Sequence, residues 1–167
     1  NLPEGLEEIG NFAFGDCTSL ESIHLPDSMV SLYTYAFDGC SKLSSVNYPK
    51  NWESVPPYGY AYNSPFRNCS KLTNIVIPEG VTSIPAYAFS SASSIKTVEL
   101  PNTLKTIGNN AFSRCTGLTS IDLSTITSIG YGAFSGCNSL RSVVVPADCN
   151  MGEEAFSNCE GLTEVTL

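Results

Sequence analysis

Seven cysteines, one histidine and, among sixteen carboxylates, one pair at equivalent places are the side chains of this sequence whose type and spacing could carry a reaction or hold a metal. Cys17, Cys40, Cys69, Cys115, Cys137 and Cys159 each follow a phenylalanine by three residues. None belongs to a C-x-x-C pair, so the short paired spacing that zinc sites use is missing. If the spacing marks stacked repeats, equivalent cysteines lie about 5 Å apart with parallel side chains. A disulfide instead needs Cβ atoms near ~3.8 Å and converging directions. The six are therefore expected as buried, reduced thiols that act as small core groups. Cys149 falls outside the spacing and is expected free, in a turn.

His24 has no companion ligand and no nucleophile placed for it, so a solvated histidine beside Asn47 is expected. Glu99 and Asp122 take equivalent outward places in successive repeats, about 5 Å apart. That distance suits a retaining glycosidase or a cation. A flat open sheet, however, has no walls to exclude water and raise the pKa of a general acid. The pair is read as a solvated acidic patch. Asn68-Cys69-Ser70 matches an N-glycosylation sequon, but Cys69 is one of the spaced cysteines and the site is expected unmodified. With no nucleophile, base and orienting group converging, the sequence predicts no catalytic residue, no metal and no cofactor.

What must position these side chains is an internal repeat. Ala111-Phe112 recurs as Ala13-Phe14, Ala36-Phe37, Ala88-Phe89, Ala133-Phe134 and Ala155-Phe156, with Pro65-Phe66 as a seventh copy. Aliphatic residues follow in register, as Leu118, Ile121 and Leu123 do in the stretch Leu100 to Leu123. The period is 23 residues for most copies, 22 for the last two and 29 for the third. One unit cannot bury its own apolar side, but stacked neighbours can, so the chain reads as a solenoid. Its copies run over about 2–24, 25–47, 48–76, 77–99, 100–122, 123–144 and 145–167 within a single domain. Both ends fall on a repeat seam without a polar cap, which reads as a piece of a longer protein.

Within a copy, the alternation through Leu118–Leu123 predicts a short strand with Ile121 and Leu123 inward. Stacked copies make the sheet parallel. Ile107-Gly108 suggests a second short strand, with Gly108 permitting the turn, and Asn109 to Cys115 reads as about one helical turn. Trp52 to Pro65 carries six extra residues with two consecutive prolines, Pro56 and Pro57. It is expected to protrude as a loop bearing Tyr58, Tyr60 and Tyr62, with Trp52 folded back on the coil.

The residues Leu100-Pro101, Ile107-Gly108, Ala111 to Cys115 and Leu118 to Leu123 resemble the BspA-like leucine-rich repeats of bacterial and protozoan surface proteins. The commoner leucine-rich repeat has Asn or Cys three residues after the last strand leucine, where Ile126 stands here. The resemblance covers nearly the whole chain. It implies an α/β solenoid of short parallel strands and short helical turns, curved as a right-handed superhelix. It also implies a cell-surface or secreted protein that binds host matrix proteins or other cells, and it brings no catalytic residues.

The net charge of −8 and scattered Lys and Arg argue against a nucleic-acid partner. No apolar run is long enough to span a membrane. Two surfaces are left for binding. One is the outward strand face, including Asn47, Asn74, Val76, Glu99 and Asp122. The other is the Tyr58, Tyr60 and Tyr62 loop, because tyrosine offers large contact area at low entropic cost. The sequence therefore predicts a non-enzymatic module for protein–protein interaction or adhesion. The alternatives are a carbohydrate-binding module that stacks sugars on the tyrosines, and a structural spacer.

Overall fold

A computed structural model describes residues 2–166; Leu167, the predicted end of the last strand, lies outside them. In chain order the strands are β1 (Glu8–Ile9), β2 (Ser22–Ile23), β3 (Ser31–Leu32), β4 (Ser45–Val46), β5 (Asn74–Val76), β6 (Ser83–Ile84), β7 (Thr97–Glu99), β8 (Thr106–Ile107), β9 (Ser128–Ile129), β10 (Ser142–Val144), β11 (Asn150–Met151) and β12 (Glu164–Thr166). All strand pairs are parallel and join the same place in successive coils. The coils are numbered here by their phenylalanines, from Phe14 in the first to Phe156 in the seventh.

The six spaced phenylalanine contacts form one ladder through the core. Ring centroids lie 5.2 Å apart for Phe14–Phe37, 5.5 Å for Phe37–Phe66 and 6.1 Å for Phe66–Phe89. The run continues at 5.3, 5.4 and 5.1 Å through Phe112 and Phe134 to Phe156. Phe37, Phe89, Phe112 and Phe134 are fully buried.

Two rows of strands flank this ladder, and their continuity is the reverse of what the sequence suggests. The second-strand row is the longer sheet, ordered β6-β8-β9-β11, with β1–β3 extended by a Ser31–Ser54 bridge. Its member in the fifth coil is Thr106–Ile107, one residue before the predicted position. The other row is split into β2–β4, β5–β7 and β10–β12. Residues 118–123, the expected strand of the fifth coil, carry none. Their alternation survives, with Ile121 and Leu123 buried and Ser120 and Asp122 exposed. This coil lacks the proline that ends most strands; instead the Asp122 carboxylate accepts the Ser124 N–H at 2.9 Å and turns the chain early. The row is also interrupted between β4 and β5. Tyr48 and Trp52 of the third coil fill places held one coil earlier by Leu25 and Met29, and their larger buried rings pack on Phe66 and on Phe89 of the next coil.

The predicted helical turn is replaced by a ribbon of β-turns. Along 110–115 the N–H groups alternate in direction. Those of Ala111, Ser113 and Cys115 close local turns to Gly108, Asn110 and Phe112. Those of Asn110, Phe112 and Arg114 donate to Tyr131, Ala133 and Ser135 of the next coil, at 2.7–2.8 Å. A helix would direct every N–H along its own axis. The alternation requires left-handed residues, here Asn110 (φ 53°) and Arg114 (φ 58°). The place before each spaced cysteine or Ala92 is left-handed in every coil, from Asp16 to Asn158. Gly108 is needed for a different reason than its turn: a Cβ there would lie 2.5 Å from the Ala86 backbone nitrogen of the coil below.

Candidate binding surface

The six inserted residues leave the third coil between Pro57 and Ser64 without breaking the ladder. Thr34 donates to Pro56 and Tyr35 donates to Ser64, so the coil proper resumes across the insertion. Tyr58 and Ala61 exchange backbone hydrogen bonds of 3.1 and 2.9 Å, closing a two-residue hairpin at Gly59-Tyr60. Gly59 has φ 57°, the positive value that a glycine at the first central position supplies.

The expected protruding loop is present, and it is held. Tyr58 packs edge-on against Phe12 at 5.4 Å, and Tyr62 lies over Tyr87 at 5.0 Å. Phe12 in turn stacks on Tyr35 at 5.0 Å, whose other face takes the Arg67 guanidinium at 4.5 Å. Asp38 fixes that guanidinium through both carboxylate oxygens and keeps its pKa above the ordinary value. Between these clamps Tyr60 stands wholly exposed (102%), while Tyr58, Tyr62 and Phe12 are 56%, 52% and 45% exposed.

Phe12, Tyr35 and Tyr87 were not singled out from the sequence. All three sit immediately before the repeated alanine, at a second left-handed position, with φ of 55°, 66° and 62°. Asn110 and Gly132 are the ordinary tenants of that place. Bulky rings there are costly, and three aromatics at one repeat position outside the core pattern is the signal that marks them.

The strand-face residues are brought to one surface but with unequal freedom. The Asn47 amide donates to the Leu25 carbonyl at 2.8 Å and accepts its N–H at 2.7 Å, bridging the coils as a backbone group would. Asn74 accepts from the Thr97 hydroxyl at 2.7 Å and reaches Glu99 at 3.5 Å. Val76 and Val144 are exposed. Glu99 and Asp122 border one shallow open depression. The Ser124 N–H holds the Asp122 carboxyl below the usual carboxylate range. His24 is exposed and shares another such depression with Asn47. Among the described residues no cluster of three metal-ligating side chains occurs.

The cysteines are free thiols, and the spaced ones have a shared bonding role. Each of the seven phenylalanine carbonyls accepts the N–H three residues on, and those of Phe14, Phe37, Phe89, Phe112 and Phe134 also accept the S–H of the next coil's cysteine. Phe112 O, for example, takes Cys115 N–H at 3.1 Å and Cys137 Sγ at 3.2 Å. Cys40, Cys69, Cys115 and Cys159 do the same to Phe14, Phe37, Phe89 and Phe134. Burial pushes the Cys40 thiol up to about 11 and Cys69 up to about 12. Cys149 closes the turn that begins at Pro146, its N–H donating to Pro146 O at 2.9 Å as Leu104 donates to Pro101 O, and it lies partly buried against the core.

The family model described as BspA type leucine rich repeat region matches residues 1–65 and 60–167, with 6 copies. A leucine-rich repeat protein of Bacteroides ovatus is 28% identical over 99% of this chain, with a TM-score of 0.70, and this chain spans 48% of its length. The leucine-rich repeat protein of T. pallidum is 31% identical over 95% of this chain and 72% of its own, with a TM-score of 0.71. The pneumococcal vaccine antigen PcpA, 22% identical over 96% of this chain and 48% of its own, shares the fold at a TM-score of 0.50. No curated protein matches.

Proposed function

Because the chain belongs to the BspA-type leucine-rich repeat family, we propose that it is a non-enzymatic binding module, displayed on a cell surface or secreted, that holds a host matrix or other cell-surface protein. The observation that carries this reading is the clamped hairpin. Exposed aromatic rings already fixed in place lose little conformational freedom on binding, and such rings dominate interface energetics. The strand face supplies a second, polar contact area through Val76, Glu99 and Asp122, whose side chains are exposed. Glu99 and Asp122 stand in open solvent, which favours contact over acid–base catalysis.

The test is a binding screen of the chain against immobilised matrix proteins and glycans, repeated with Tyr58, Tyr60 and Tyr62 all replaced by alanine. Loss of a protein partner with folding unchanged supports the module reading. Loss of a glycan alone transfers it to carbohydrate binding, and no ligand in either class leaves a spacer.

A further inference from the structure

Building on the reading of this chain as a protein-binding module, we infer that the aromatic ridge around Tyr60 takes a proline-rich segment of its partner, in the polyproline II conformation and flanked by basic residues. Three observations converge on that ligand. The ridge is pre-organised, since Tyr58 and Tyr62 are each braced on an aromatic of the coils themselves. It offers ring faces and phenolic hydroxyls: those of Tyr58, Tyr60 and Tyr62 make no hydrogen bond among the described residues. A polyproline II strand offers the complement, apolar rings and carbonyls that have no internal partner.

Charge selects the flanks. Residues 2–90, which lie in the four coils that carry the ridge's rings, hold nine carboxylates against four cations, Lys42, Lys50, Arg67 and Lys71. The nearest arginine, Arg67, is already neutralised by Asp38. Arginine or lysine beside the prolines therefore gains favourable contact.

A sugar fits less well, because the planar polar groups that would grip its hydroxyls are occupied or closed off from solvent. Asp38 is bonded to Arg67 and Asn68. Asn63 donates its amide N–H to the Tyr35 hydroxyl at 3.4 Å, and its unpartnered Oδ1 is buried out of a ligand's reach.

The test is calorimetric titration of the chain with a capped heptaproline peptide bearing two arginines at each end. Saturable binding is expected. Tyr60→Ala is expected to weaken it about tenfold or more, the effect of losing an aromatic anchor, with the unfolding midpoint unchanged. A glutamate-flanked heptaproline is expected to bind more weakly at low salt. No saturable binding overturns the inference, as does equal binding of an arginine-flanked glycine–serine peptide, which would mean charge alone. Tyr60-dependent binding of cellohexaose without binding of the peptide overturns it in favour of a glycan. If the peptide fails while a matrix protein still binds through Tyr60, the proline-rich ligand is wrong and the module reading stands; if neither binds, both fall.

Discussion

A cysteine in six of the seven coils invites a disulfide framework, but each buried thiol here is a hydrogen-bond donor to the carbonyl of the coil before it. Denatured without reductant, the chain is expected to titrate seven thiols; a count of one or three would remove the thiol ladder. Burial has a pH consequence. The folded thiols of Cys40 and Cys69 keep their protons to about 11 and 12, whereas the unfolded thiols release theirs near 9.0. Their contribution to stability is thus whole below pH 9 and is lost as pH rises through 11 to 12. The slope is at most about 1.4 kcal/mol per pH unit for each thiol. Unfolding midpoints measured from pH 8 to 12 should fall accordingly, and Cys69→Ala should flatten the decline by one thiol's share. The left-handed residues make a separate prediction. Gly136 has φ 75° and room for a Cβ, its nearest neighbour being the Arg114 Cγ at 3.5 Å. Gly136→Ala should cost about 1–2 kcal/mol from backbone strain alone.

The inserted hairpin tests the independence of an element from the coil that bears it. Its removal, as a deletion of 58–63, joins Pro57 to Ser64, and the inter-coil bonds of Thr34 and Tyr35 to Pro56 and Ser64 stay in place. The deletion forfeits the Thr34 hydroxyl's bond to Asn63 O and the Tyr62–Tyr87 stack. A loss of about 1–2 kcal/mol is expected in denaturant unfolding. A collapse of the fold would show that the hairpin supports the core, contrary to its edge position. Trp52 is the opposite case: buried and edge-on to Phe66 and Phe89 at 6.3 and 5.8 Å, it belongs to the core although it stands at the start of the divergent stretch.

For the molecule as a whole, stability is carried by contacts between neighbouring coils. A ring removed from the middle of the ladder leaves a closed cavity; one removed from the outermost coil opens to water. Phe112→Ala is expected to cost about 3–5 kcal/mol. Phe14→Ala, at a half-buried ring stacked on one side only, should cost less than half as much. Equal costs in chemical unfolding would mean that the ladder is not the source of stability. Charge plays little part in holding the coils: among the described residues the single ion pair is Arg67–Asp38.

The sequence by itself determined the solenoid, the register of its seven phenylalanines, the parallel pairing and the reduced thiols. Those follow from repetition: identical units bury identical positions, so spacing alone says which residues meet. It also marked Tyr58, Tyr60 and Tyr62 as a protruding group. Only the tertiary structure decided that the Ala-Phe segment is a left-handed β-turn ribbon and not a helix. Backbone N–H groups that alternate between their own coil and the next depend on a neighbour no single repeat contains. It likewise decided which strand row is continuous, because strand pairing depends on the neighbouring coils and not on one repeat alone. And it alone joined the hairpin to Phe12, Tyr35 and Tyr87, since those rings come from three different coils and meet only once the coils are stacked.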